Sequence, residues 1–310
     1  MNLEQVIKQF KDHPYKLQMG AGKLAKWFKC DKKLIYEAKE KIKISTQNKH
    51  KKNPRILLLD IETQACLIAI FQKQMKNTYI KSDQIISDWY ILSYSYKWLY
   101  DDSLYGEVLT KEEVLEENDL RLCKGIYNIL DEADIVIVHN VPFDIQNINT
   151  RFLIHGIFPP SPYKTVDTLV TARNKFGFTH NNLGAIATTL GFPTKKDTNF
   201  SLWKKCMFGD ENSLKYMLEY NKQDIIVLEY VYLSFRPYIN NHPNWNNYNN
   251  TKDCCPVCGG KHIKHIEEKY YYSFINLYNV YRCIDCGSIV RDRTLVKRED
   301  KPLITSIPGR

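Results

Sequence analysis

The chain has 310 residues, 44% of them hydrophobic and 25% charged, which excludes a mainly disordered chain, a fibrous repeat and a disulfide-stapled miniprotein. The formal net charge of +9 is unevenly placed: residues 1–53 hold 14 Lys or Arg against 5 Asp or Glu, residues 54–250 sum to −4, and residues 251–310 hold 11 basic against 7 acidic. Two basic ends around a slightly acidic middle fit ends that meet a polyanion and a middle that gathers carboxylates, although lysines solvating small helices give the same imbalance.

The longest apolar run, Ala65 to Phe71, is too short to cross a bilayer. The first residues, MNLEQVIKQFKD, lack the hydrophobic stretch of a signal peptide, so a cytoplasmic protein without membrane partners is the expectation.

Residues 1–45 read as a small basic helical module. Leu3, Val6, Ile7 and Phe10 recur at helical spacing, and His13-Pro14 interrupts them. Leu24, Ala25 and Phe28 form the face of a second helix, and Leu34, Ile35 and Ala38 that of a third, with Asp31 placed to cap it. This pair resembles helix-turn-helix DNA-binding modules, with Lys32, Lys33 and Tyr36 on exposed surface, while an ordinary helical hairpin fits the same pattern. Residues 46–54 read as a linker.

Residues 55–240 read as an α/β domain, a sheet covered by helices. RILLLDIET (55–63) is a buried strand that runs into acidic residues, and a second extended region includes WYILSYSYKWL (89–99). Residues 109–134 read as one helix after the first few, followed by the strand IVIVHN (135–140) and the helix FDIQNINTRFLIHGI. NNLGAIATTLGF supplies a short helix closed by Gly191, and a long helix spans Glu211 to Phe235. The asparagine-rich stretch at 241–252 reads as an exposed connector.

Asp60 and Glu62 lie two apart at a strand end, so both side chains share one side. Asp144 starts a helix just beyond another strand, and Asp224 lies one turn after Tyr220 on the long helix. Four carboxylates converging at the carboxyl edge of a sheet repel one another unless cations are shared, and Mg²⁺ or Mn²⁺ suits such hard oxygen donors. Asp167 reads either as a carboxylate supporting that cluster or as a helix cap, and Asn182 and Lys195 are placed to touch phosphates.

LDIET, HNVPFD and YNKQD resemble, in order and spacing, the three motifs of the DEDD superfamily of 3'-5' exonucleases, and Tyr220 resembles the tyrosine of its DEDDy branch. The resemblance spans residues 55 to about 236 and implies a ribonuclease H-like mixed sheet covered by helices. It further implies two catalytic Mg²⁺ or Mn²⁺ ions held by Asp60, Glu62, Asp144 and Asp224, with Tyr220 orienting the attacking water and release of nucleoside 5'-monophosphates. Thr63, Asn140 and Phe143 match motif positions that meet the substrate, although Phe143 could instead support its helix. Val141-Pro142 stands where many members have glycine, which implies a different loop shape. The implied partner is DNA, single-stranded or with an accessible 3' end. RNA is the alternative substrate, replication or recombination proteins are further partners, and a non-catalytic scaffold is the competing class. Trp89, Ser93, Tyr94 and Trp98 are similar to those of phage-encoded members, which would place the protein in a host cytoplasm.

Cys255, Cys258, Cys283 and Cys286 form CxxC, 24 residues, CxxC, the layout of a zinc ribbon over 253–300 in which one structural Zn²⁺ takes four thiolates. Cys254 could stand in for Cys255 only by breaking the CxxC spacing, and His262 and His265 are local alternatives. Arg282, Arg291, Arg293, Lys297 and Arg298 flank the ribbon and suit either phosphates and stacked bases or a protein partner.

Overall fold

The computed structural model describes residues 1–12, 21–39, 53–71, 79–192, 198–249, 251, 253–273 and 276–296. They divide into two units, Met1–Asn53 with Trp245–Cys254, and Pro54–Asn244 with Cys255–Arg310. No helix among the described residues is long and apolar enough to cross a membrane.

In the first unit, α1 (Leu3–Asp12), α2 (Ala21–Phe28) and α3 (32–39) bury the apolar faces read from the sequence. Val6, Phe10, Leu24, Phe28, Ile35 and Ala38 form one core, with the rings of Phe10 and Phe28 edge to face at 6.0 Å. Lys29 takes a left-handed conformation (φ 49°) between α2 and α3, and Asp31 Oδ1 accepts the Lys33 amide at 2.7 Å, which caps α3. Most of the expected linker at 46–54 lies outside the described residues. The stretch expected as an exposed connector carries a short helix, Asn246–Asn249, and buries Trp245.

The second unit opens with β1 (Ile56–Thr63), β2 (Leu67–Ile68), β3 (Ile85–Ser87), β4 (Ile91–Trp98) and β5 (Leu104–Val108). Then come α4 (Lys111–Leu115), α5 (Leu120–Glu132), β6 (Ile135–Val138), α6 (Val141–Ile154), β7 (Lys164–Asp167), α7 (Thr168–Lys175), α8 (Leu183–Thr189), α9 (Phe200–Met207) and α10 (Glu211–Phe235). The main sheet runs β5-β4-β1-β6-β7, with β4 antiparallel to β1, and with β6 parallel to both β1 and β7. The all-apolar β6 is buried throughout, as a parallel strand covered on both faces must be.

Alternation on β1 sends Leu57, Leu59 and Ile61 into a core with Leu122, Ile126, Ile148 and Phe152, while Asp60 and Glu62 face the other way, where α10 lies across β1, β4 and β5. Small residues permit this crossing. Ser93 and Ser95 stand opposite Glu62 and Asp60, and a side chain at Gly106 on β5 would come within 3.0 Å of Leu218 on α10.

The single helix expected over 109–134 is two, because Glu117 adopts φ 53° and Asp119 turns inward, fully buried, onto Arg151. Asp119 accepts two hydrogen bonds of 2.7 Å from Arg151, one of 2.5 Å from His155 and one of 2.8 Å from the Ile91 amide. Burial pushes the Asp119 carboxyl up, but these donors outweigh it and hold it below the ordinary aspartate value. The triad fastens α6 to the start of β4.

The C-terminal residues form a second antiparallel sheet, β10-β9-β8, from β8 (Ile263–Ser273), β9 (Asn276–Cys283) and β10 (Ile289–Leu295).

Candidate active site

β1 ends in a bulge between Glu62 and Thr63, which stops regular pairing where the acids emerge. α10 brings Asp224 across the sheet, so that one oxygen each from Asp60, Glu62 and Asp224 lies within 4.8 Å of the other two. Asn221, one turn before Asp224 and fully buried, donates to Asp60 Oδ2 at 2.6 Å and to the Asp60 carbonyl at 3.3 Å. Its own Oδ1 accepts the Ser93 hydroxyl at 3.4 Å, so the amide is oriented from β4. Sequence reasoning missed Asn221; its helical spacing from Asp224 was the available signal.

Asp144 stands beside this set of three, close enough to feel the charges of Asp60 and Glu62. The residue is 2% exposed, and its Oδ1 accepts the Ile61 amide at 3.3 Å. Burial, then the charges of Asp60 and Glu62, raise its carboxyl well above the ordinary value against that hydrogen bond. Such a buried, mutually repelling group of hard oxygens fits a divalent cation of the magnesium or manganese kind.

The turn that delivers Asp144 explains the Val141-Pro142 sequence. Asn140 sits in the left-handed region (φ 95°, ψ 67°), and proline occupies the first turn of α6, where no amide hydrogen is required. Asp167 holds this strained turn, accepting the Asn140 amide at 3.3 Å and the Val141 amide at 2.9 Å. It also caps α7 through Leu169 and Val170, at 2.8 and 3.0 Å, which is the capping reading of this residue. Asn182 caps α8 by accepting the Ala185 amide at 2.8 Å, and Lys195 lies outside the described residues.

Tyr220 is half-buried against Trp203, with ring centroids 6.2 Å apart, one turn before Asp224. Thr63 is half-buried at the strand end, and Phe143 is 42% exposed, outside the main core. Next to Asn140 a polar cleft of about 430 Å³ is lined by His139, Arg173, His180 and Asn181.

Residues 100–235 match the RNase H superfamily. The domain has an RNase H-like fold. The matched segment includes Asp144, Tyr220 and Asp224 and stops short of β1, which carries Asp60 and Glu62. No curated protein matches the chain.

Beyond the RNase H-like sheet, the sulfurs of Cys255, Cys258, Cys283 and Cys286 lie within 4.8 Å of one another, a donor set that suits zinc. Each CxxC closes a tight turn: Gly259 (φ 74°) and Gly287 (φ 82°) donate to the carbonyls of Cys255 and Cys283 at 2.9 and 2.8 Å. In the first turn, the amides of Val257 and Gly260 donate to the sulfurs of Cys255 and Cys258 at 3.4 and 3.3 Å. Cys254 lies outside the set and is hydrogen-bonded to Asn246 and Thr251. His262 pairs with Asp285 at 2.7 Å, and the His265 ring packs on Tyr281 at 5.2 Å, so neither histidine is placed as a ligand.

The surface residues assigned to nucleic acid are spread over the chain. Lys32, Lys33 and Tyr36 are exposed on α3. Arg282 and Arg291 are exposed on the C-terminal sheet, where the Arg291 guanidinium stacks 4.1 Å from the Tyr278 ring.

Proposed function

We propose that this protein is a metal-dependent 3'-5' exonuclease that removes nucleoside 5'-monophosphates from DNA 3' ends. The observation that carries the reading is the meeting of Asp60, Glu62 and Asp224, from the first strand and the last helix of the RNase H-like domain, with buried Asp144 alongside. These carboxylates would hold two divalent ions, which when bound lower the pKa of a water and offset the charge of the scissile phosphate.

Each neighbouring residue has a task in this scheme. Asn221 fixes the Asp60 carboxylate, and Asp167 holds the turn that presents Asp144. The Tyr220 hydroxyl orients the attacking water. Thr63, Asn140 and Phe143 meet the terminal nucleotides, with the exposed Phe143 ring available to a base. Lys32, Lys33, Tyr36, Arg282 and Arg291 bind the strand through its phosphates and bases. The four cysteines hold one structural zinc ion that stabilises the C-terminal sheet. The retained acids and Tyr220 oppose a non-catalytic scaffold.

The test uses purified protein with 3'- and 5'-labelled single-stranded DNA, duplex DNA and RNA, in Mg²⁺, Mn²⁺ or EDTA. Stepwise loss from DNA 3' ends, abolished by EDTA and by Asp144→Asn, is the expected result. Tight binding without cleavage would overturn the reading, and preference for RNA would move the substrate while leaving the mechanism.

A further inference from the structure

Arg236, at the C-terminal end of α10, is 8% exposed, yet it forms no ion pair with a carboxylate among the described residues. Its Nη1 donates to the Tyr100 hydroxyl at 2.6 Å, its guanidinium lies 6.0 Å from the Tyr232 ring, and its Nε has no hydrogen-bond partner. His242 donates through Nδ1 to the Pro243 carbonyl at 2.9 Å, so its Nε2 accepts the Tyr232 hydroxyl at 2.8 Å. Burial holds the imidazole down at about 4. A buried cation without an anion is costly, and α10 would not retain one at its end without compensation.

The cysteine cluster can supply it. Pro237, the next residue, packs on the second cysteine turn, where a side-chain carbon at Gly287 would lie 3.6 Å from its ring. Burial works against the Arg236 charge, and Tyr100, Tyr232 and the Cys258 sulfur outweigh it. Four thiolates around one Zn²⁺ leave two negative charges in excess, and groups beyond the ligands tune such a centre.

We propose that Arg236 is the counter-charge of the four-thiolate zinc centre, so that zinc binding and the seating of the C-terminal sheet on the end of α10 are one event. This rests on the zinc reading above and is independent of the exonuclease reading. It makes the sheet a fixed extension of the helix that carries Tyr220 and Asp224.

The experiment measures zinc content of the full chain, then zinc affinity by competition with a chelating indicator, for wild type, Arg236→Gln, Arg236→Lys and Tyr100→Phe. A lost counter-charge weakens zinc binding about 10–100-fold in Arg236→Gln, the range for groups that support metal ligands. Arg236→Lys and Tyr100→Phe keep the charge and stay within about threefold of wild type. Wild-type affinity in Arg236→Gln, or equal weakening in Arg236→Lys or Tyr100→Phe, would overturn the proposal. If Arg236→Gln does not fold, weakening beyond about threefold in Arg236→Lys or Tyr100→Phe still overturns the proposal. A wild-type chain with no zinc removes the zinc reading itself and this inference with it.

Discussion

The two clusters of ligand-type side chains are assembled in opposite ways. Each half of the thiolate cluster is made within one tight turn, by a CxxC and its glycine, and backbone amides already point at two of its sulfurs. The carboxylate cluster exists only once α10 has crossed β1, and burial together with the charges of Asp60 and Glu62 raises the Asp144 carboxyl beside it. Local turn chemistry therefore prearranges the sulfur site, whereas the oxygen site is imposed by the sheet and held by Asn221, Asp167 and the Asp119 triad.

The largest effect that separates the two is expected from Cys283→Ser. Structural zinc contributes about 10–16 kcal/mol of apparent binding energy in small zinc modules, so its loss should disorder the C-terminal sheet. Metal analysis should fall from about one zinc per chain to none, with Mn²⁺ binding at the carboxylates retained.

Asp119→Asn tests the scaffold behind the oxygen site. Leaving Arg151 buried without its anion costs about 3–5 kcal/mol, measured by urea unfolding at neutral pH. Because the folded carboxyl lies below its ordinary value, its stabilisation is present above about pH 4 and is lost as pH falls through the lower folded value. The wild-type advantage over the variant should therefore begin to shrink below about pH 4 and reach its minimum once the pH is below the folded value.

Asn221→Ala removes the donor that fixes Asp60, and about 10–100-fold in Mn²⁺ affinity or cleavage rate should go with it. Zinc content should not change. Asp167→Ala, which uncaps α7 and releases the Asn140 turn, should cost about 0.5–2 kcal/mol by thermal unfolding.

The same contrast explains what could be read before the structure. The α/β fold class followed from continuous apolar runs at β1 and β6 and from the helical period of α10, whose expected span matches Glu211–Phe235. β5 and β7 were missed because they are short, polar and stabilised by pairing with β4 and β6, which no local pattern records. The 109–134 segment kept a helical period across its break, since Asp119 leaves the helix to meet Arg151, a partner invisible along the chain. The cysteine cluster could be read from spacing alone. The carboxylates needed three motifs taken together, because no single stretch holds more than two of them.

Manganese titration calorimetry on the zinc-loaded chain, with Asp60→Asn and Asp224→Asn beside wild type, tests most directly whether β1 and α10 build one cation site. We expect Mn²⁺ binding in wild type and its loss in each variant, with zinc content intact. Binding as tight in either variant as in wild type would contradict the account.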